Sequence, residues 1–238
     1  MITSLDNNKV KEIVKLQNKK YRDLTNTFVI ETEHLVEEAK KIGIVKELYI
    51  VSEEQDIDNT YFVTEEVMKK MSSMESPSKI LALCEKINST EIIGDRILLL
   101  DNIQDPGNLG TIIRSSVAFG VNTIVLSPDT VDLYNPKVIR ASEGMFAHIN
   151  IVTMDLEEAI EIIKNKGINV YGTNVVDGED ISNLDKSSYA LVMGNEGNGV
   201  RENIQKLCDK NIYIPMEKAC ESLNVGVACS IILYELRR

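Results

Sequence analysis

Short, unbroken apolar runs recur through the second part of the chain: "RILLLDN", "NTIVLS", "INIVTM", "INVYGTNV", "YALVMG" and "NIYIPM". Segments of helical pattern separate most of them, among them a helix from Asn108, a short one near Lys137–Ala141, "LEEAIEIIKNKG" and the terminal "NVGVACSIILYELRR". A strand with one wet face alternates apolar and polar side chains, so continuous apolar runs call for burial on both faces. Strands and helices in alternation then give a mainly parallel sheet with helices on each side, an α/β domain. An apolar fraction of 43% is ample for that core.

The first part of the chain repeats the theme on a smaller scale. A helix is expected from Lys9 to Arg22 with Val10, Ile13, Val14 and Leu16 on its apolar side. "TFVIET", "KELYIVS" and "KILALCEK" read as strands, and "EHLVEEAKKIG" and "EEVMKKMSS" as helices. The polar stretch "INSTEIIGD", which contains Gly94, reads as a boundary, so residues 1–90 and 91–238 are expected to form separate domains.

The net charge of −11 argues against a generic nucleic-acid-coating protein. The balance is local, however. Lys9, Lys11, Lys15, Lys19, Lys20 and Arg22 face only Asp6 and Glu12 within residues 1–22. A solvated helix face and a contact to RNA phosphate both fit that pattern. Cys84, Cys208, Cys220 and Cys229 form no CxxC pair, and His34 and His148 are far apart, so a metal site has no support and free thiols in a reducing cytosol are expected. "MITSLDNNKV" carries no apolar signal core and no run is long enough to span a bilayer. The expectation is a cytoplasmic protein without a membrane partner.

Three stretches at strand ends stand out. The first is "LVMGNEGNGV", with Gly194, Gly197 and Gly199. A dinucleotide turn needs G-x-G-x-x-G after the first strand and a Walker loop needs G-K-[S/T], and neither is present. A plain tight turn would explain the glycines, but not Glu196 between two asparagines past the C-terminal end of a strand, where ligands of open α/β sheets sit. The second is "DPGNLGTIIRS". Asn108 is placed to cap a helix, and Arg114 is placed to pass over the bare Gly110 and present its guanidinium beside Asn108. The third is "IPMEKACESLNVGVA", where Ser222 or Asn224 could cap the final helix. Capping and a shared polar site remain alternatives for these residues.

Together the three stretches resemble the SpoU-type ribose 2′-O-methyltransferases of the SPOUT superfamily, in that family's order and spacing. "NNKVKEIVKLQNKKYRDLTNTFVIETEHLVEEA" also resembles the small ribosomal-protein-like substrate-binding domain of many members. The resemblance implies a parallel-sheet domain closed by a deep trefoil knot, with a smaller N-terminal α/β substrate-binding domain. It implies S-adenosylmethionine bound by loop backbone, with Thr173, Gly194, Asn195, Gly199, Ile214, Met216 and Leu223 as cofactor-binding positions. Asn108, Arg114, Glu196, Ser222 and Asn224 match the functional polar positions, and no metal is implied. Members are homodimers whose sites the partner subunit completes.

The implied reaction moves a sulfonium methyl to a ribose 2′-hydroxyl. A guanidinium stays protonated in proteins, so Arg114 suits orientation of phosphate and stabilisation of the developing alkoxide better than proton removal. The N-terminal domain favours ribosomal RNA, of the large subunit, over transfer RNA. A transfer-RNA 2′-O-methyltransferase, a base methyltransferase and a non-catalytic RNA-binding or assembly factor are the alternatives. Arg140 joins the N-terminal lysines as an expected RNA contact. Three positions depart from the family pattern: Thr32 and Lys218 stand where glycine is usual, and Gly226 where serine is usual.

Overall fold

The computed structural model describes residues 1–52, 59–174, 178–181, 186–217 and 219–237. Val175, Lys218 and Arg238 therefore lie outside the described residues. The chain divides into two units, Met1–Ile87 with Asp132–Arg140, and Asn88–Val131 with Ala141–Arg238.

The helix expected over Lys9–Arg22 is two helices, α1 (Asn8–Lys15) and α2 (Lys19–Thr25). Asn18 starts the second by accepting the Lys20 N–H at 2.9 Å, a stronger local signal than the apolar period running through it. Arg22 is buried rather than displayed to solvent. Its Nη1 donates to Leu16 O at 2.7 Å and Gln17 O at 2.9 Å, carbonyls just past the end of α1. Its Nε donates to Asp132 Oδ2 at 3.0 Å. Arg22 is thus removed from the expected RNA-facing set. Lys9 pairs with Glu47, Lys11 with Asp6 and Lys19 with Asp23, and Arg140 donates to Ser73 Oγ at 2.8 Å.

The rest of this unit comprises β1 (Thr27–Glu31), α3 (Glu33–Lys41), β2 (Val45–Val51), β3 (Thr60–Val63), α4 (Glu65–Met71) and β4 (Ile80–Glu85). Its sheet runs β1-β4-β2-β3. β4 is antiparallel to β1 and β2, and β3 is parallel to β2. Thr32, just ahead of α3, has φ 88° and ψ 143° and makes no side-chain cap bond. That backbone region favours glycine, so the substitution at this position is strained.

The second unit contains β5 (Arg96–Leu100), α5 (Pro106–Ala118), β6 (Thr123–Leu126), α6 (Pro136–Ala141, shared across the unit boundary), β7 (Asn150–Thr153), α7 (Leu156–Asn165), β8 (Val170–Thr173), β9 (Glu179–Asp180), β10 (Tyr189–Met193), α8 (Glu202–Gln205), β11 (Lys210–Tyr213) and α9 (Val225–Leu236). Its strand order is β7-β6-β5-β10-β8-β11-β9 and every pairing is parallel. All residues of β5 and β10 are buried, as unbroken apolar runs require. Ala159, Ile160 and Ile163 of α7 cluster with Ile97, Leu99, Val170, Ala190 and Val192 on one face. Leu98 and Leu191, of opposite parity, are equally buried, so the other face is covered too. α5 and α9 lie side by side, joined by Ser115 Oγ and Ser230 Oγ at 2.6 Å.

Candidate active site

β5 hands the chain to a turn, Asp101–Asp105, that sets up α5. Pro106 occupies the first helical turn, and Asp105 Oδ1 accepts the Asn108 N–H at 2.9 Å. Asp105, not Asn108, is therefore the N-cap: proline suits the first helical position, and an acidic side chain ahead of it satisfies the free N–H groups. Relieved of capping, the Asn108 side chain bridges two distant loops. Its Nδ2 donates to Glu196 Oε1 at 3.0 Å, and its Oδ1 accepts from Asn224 Nδ2 at 2.9 Å. Asn224 Oδ1 in turn caps α9, accepting the N–H groups of Gly226 at 3.0 Å and Val227 at 3.2 Å. Of the two cap alternatives for α9, Asn224 is the one used, and Ser222 is left exposed.

Glu196 also accepts the backbone N–H of Asp105 at 3.1 Å and of Gln104 at 3.2 Å. Partial burial alone would raise its carboxyl. Hydrogen bonds from Asn108 and from the backbone of Glu196, Asp105 and Gln104 outweigh burial and hold it below the usual carboxylate range. Glu196 is consequently a fixed anion at neutral pH and an orienting acceptor, poorly matched to proton removal.

The glycine loop turns back on itself: Asn195 N–H donates to Gly199 O and Gly199 N–H to Asn195 O, each at 2.9 Å. Gly199 has φ +69°, and a Cβ on Gly194 would overlap the Gly199–Val200 peptide, so both positions demand glycine. Asn195 Nδ2 ties the loop to Asn102 O at 2.8 Å. The sequence reading missed two further residues here. Arg201 donates from its backbone N to Asp101 Oδ2 at 2.7 Å and from Nε to Oδ1 at 2.6 Å. The signal was an acid at the end of the most apolar strand and an arginine just past the glycine loop.

A cavity of about 980 Å³ opens beside the C-terminal ends of β8, β10 and β11. Thr173, Gly194, Asn195, Gly199, Ile214, Met216 and Leu223 all line it, as do Glu196, Ser222 and Asn224. Thr173 spends its hydroxyl proton on Val192 O at 2.9 Å. The volume lies at the upper end of the roughly 300–1,000 Å³ typical of small-molecule sites. A bare glycine wall and a polar rim suit the flat base and charged tail of an adenosine derivative the size of S-adenosylmethionine.

Asn108 joins this rim through Glu196 and Asn224. Arg114 does not join it. Gly110 packs against Ala141, and a Cβ added at Gly110 would overlap that residue, so the path imagined for the Arg114 side chain is taken. Arg114 is exposed on α5.

Residues 95–234 match the SpoU rRNA Methylase family, and residues 7–82 match the MRM3-like substrate binding domain. The chain is 40% identical over 244 residues to the 23S rRNA (guanosine(2553)-2'-O)-methyltransferase RlmP of Bacillus subtilis (strain 168), spanning 99% of this chain and 98% of that one. The crystal structure of an AdoMet-bound rRNA methyltransferase from Sinorhizobium meliloti superposes with a TM-score of 0.89 at 30% identity, covering 100% of this chain and 97% of that one. The crystal structure of an RNA 2'-O ribose methyltransferase superposes with a TM-score of 0.83 at 27% identity, covering 99% and 97%. Carrying these loops on this sheet, and matched across most of its length, the chain belongs to the SpoU rRNA methylase family.

Proposed function

We propose that this protein is an RNA methyltransferase that uses S-adenosylmethionine to methylate a ribose 2′-hydroxyl of 23S ribosomal RNA. The observation that carries the reading is the chain of hydrogen bonds Glu196–Asn108–Asn224 on the rim of the glycine-walled cavity. Bound S-adenosylmethionine supplies an electrophilic methyl group. Gly194, Asn195, Gly199, Ile214, Met216 and Leu223 would hold it, with Thr173 alongside. Holding two reactants in line can supply ~7–11 kcal/mol of a barrier. Glu196, Asn108 and Asn224 fix the relative positions of the three loops that do so. Ser222, exposed on the rim, is available to the nucleotide. Arg114, exposed on α5 and off the rim, can orient only a target phosphate that lies outside the cavity, and a lysine there would lose the planar fork.

The guanosine named for the Bacillus relative is the first target to test. The N-terminal unit serves as the RNA-binding domain. Lys9, Lys11 and Lys19 of its N-terminal basic cluster are already held in ion pairs, so a small footprint and a weak dependence of affinity on salt are expected. The molecule works in the cytoplasm, where ribosomal RNA is met. We also infer a homodimer, supported by the apolar side chains Val227, Ile231 and Tyr234 exposed at helical spacing on α9. A trefoil knot in the second unit is supported by the insertion of β10 between β5 and β8 and by the return of α9 to α5.

The test is transfer of labelled methyl from S-adenosylmethionine to unmodified, size-fractionated RNA, followed by alkaline hydrolysis. Label in alkali-resistant dinucleotides from large-subunit RNA is expected. Label confined to mononucleotides would move the target to a base, and label confined to the transfer-RNA fraction would overturn the substrate assignment.

A further inference from the structure

The glycine loop is stitched to the turn after β5 at successive points: Asp101 to Arg201, Asn102 to Asn195, and Gln104 and Asp105 to Glu196. The first stitch uses residues outside the functional set described above. The Asp101 side chain is wholly buried, with 0% exposure, while Arg201 is 45% exposed. The Asp101 N–H donates to Met193 O at 2.9 Å, so its carboxylate stands where β5 and β10 end together. One carboxylate oxygen takes the Arg201 backbone N–H and the other takes Nε, with Nη2 at 2.6 Å. Nη1 lies 3.4 Å from Asp129 Oδ2. The guanidinium is therefore committed to two carboxylates and is not presented to an anionic ligand.

Backbone and side chain of one residue grip the same buried carboxylate. That arrangement fixes both the place and the direction in which the chain leaves the glycine loop. Arg201 also lines the cavity. Removing the arginine would leave a buried charge without its partner, which proteins relieve by shifting the surrounding backbone or by protonation. The backbone at hand is the wall formed by Gly194–Gly199.

Resting on the S-adenosylmethionine reading above, we propose that Asp101 and Arg201 are positioning residues that hold the glycine loop in its cofactor-binding shape. Loss of Arg201 alone, which leaves the buried Asp101 charge unpaired, weakens cofactor binding without weakening RNA binding. The test is calorimetric titration of the full chain with S-adenosylmethionine, beside its thermal melting and its KM for RNA. Arg201→Met should raise the cofactor Kd by about tenfold or more, and leave the KM for RNA within about twofold. Adding Asp101→Asn should bring the Kd back to within about threefold of the unaltered protein, because no buried charge is then left alone. Arg201→Lys keeps the charge but loses the fork, and should bind with intermediate affinity.

Unchanged cofactor affinity in Arg201→Met with a lowered melting temperature would overturn the proposal and leave the pair a purely structural contact. So would a weakened Kd that Asp101→Asn fails to offset. If Arg201→Met does not fold, unchanged affinity in Arg201→Lys would overturn it equally. Absence of cofactor binding by the unaltered protein would instead overturn the S-adenosylmethionine reading, and this proposal with it.

Discussion

Asn108→Ala removes two hydrogen bonds that join three loops, one to the Glu196 carboxylate at 3.0 Å and one from the Asn224 amide at 2.9 Å. Neutral hydrogen bonds contribute about 0.5–1.5 kcal/mol net and those to charged groups about 1.5–3. The site is open to water, so the low end of each range applies, giving a loss of about 2 kcal/mol. For a protein of this size that corresponds to a fall in melting temperature of roughly 4–8 °C. If the same geometry is needed in the transition state, about 2 kcal/mol also lowers turnover by roughly 30-fold. The decisive assay is a double-mutant cycle of Asn108→Ala and Glu196→Ala, read by urea unfolding and by single-turnover methyl transfer. Because each residue loses much of its role when the other is gone, the double variant should be less impaired than the sum, with a coupling of about 1 kcal/mol. Additivity within about 0.5 kcal/mol in both readouts would refute the idea that these loops act as one unit.

Other consequences can be checked separately. Thr32→Gly relieves a backbone strain of about 1–3 kcal/mol, offset by about 0.5–1 kcal/mol for the freer unfolded glycine, so urea unfolding should show a gain of about 1 kcal/mol. A loss would mean that the threonine side chain matters more than its φ. Arg22→Met leaves Asp132 without its partner and two carbonyls without a donor, and should cost about 3–5 kcal/mol of stability. An undiminished unfolding midpoint would refute that accounting. The Glu196 carboxyl titrates below its ordinary value of 4.5 in the folded protein, so its contribution to stability is complete above that pH and is lost as pH falls through the lower, folded value. Glu196→Gln should flatten the acid limb of the stability–pH curve, and an unchanged limb would show that the carboxyl carries no linkage.

The sheet was legible in the sequence because burial on both faces leaves a run of apolar letters, and β5 and β10 are such runs. The loops that line the cavity were legible through motif resemblance and strand-end position. Ambiguity arises where one residue type has two uses. Asn108 reads equally as a cap or as part of a polar site, and it is Asp105, ahead of Pro106, that takes the cap. Arg22 looked like a displayed charge, and only a partner 110 residues away shows it to be buried. The segment Asp132–Arg140 sits inside the second unit's sequence yet clusters with the first. Its letters carry no mark of that, since which unit buries Tyr134, Val138 and Ile139 depends on chain geometry. The mixed sheet of the first unit was hidden for a similar reason: short half-buried strands such as β2 look the same parallel or antiparallel.

The placing of β10 between β5 and β8 has a consequence for how the molecule is made. A chain halted before Tyr189 contains β7-β6-β5 as a paired set with an open edge at β5, while β8 lacks both of its partners, β10 and β11. Such edges invite pairing with other chains. The contacts that close the gap join residues about 90 positions apart, which makes closure slow compared with helix formation. The stitches between the glycine loop and the turn after β5 can form only after that closure. During synthesis, therefore, the glycine-walled cavity is among the last features to exist, and a ligand bound there can stabilise only a chain that has already solved its hardest folding step.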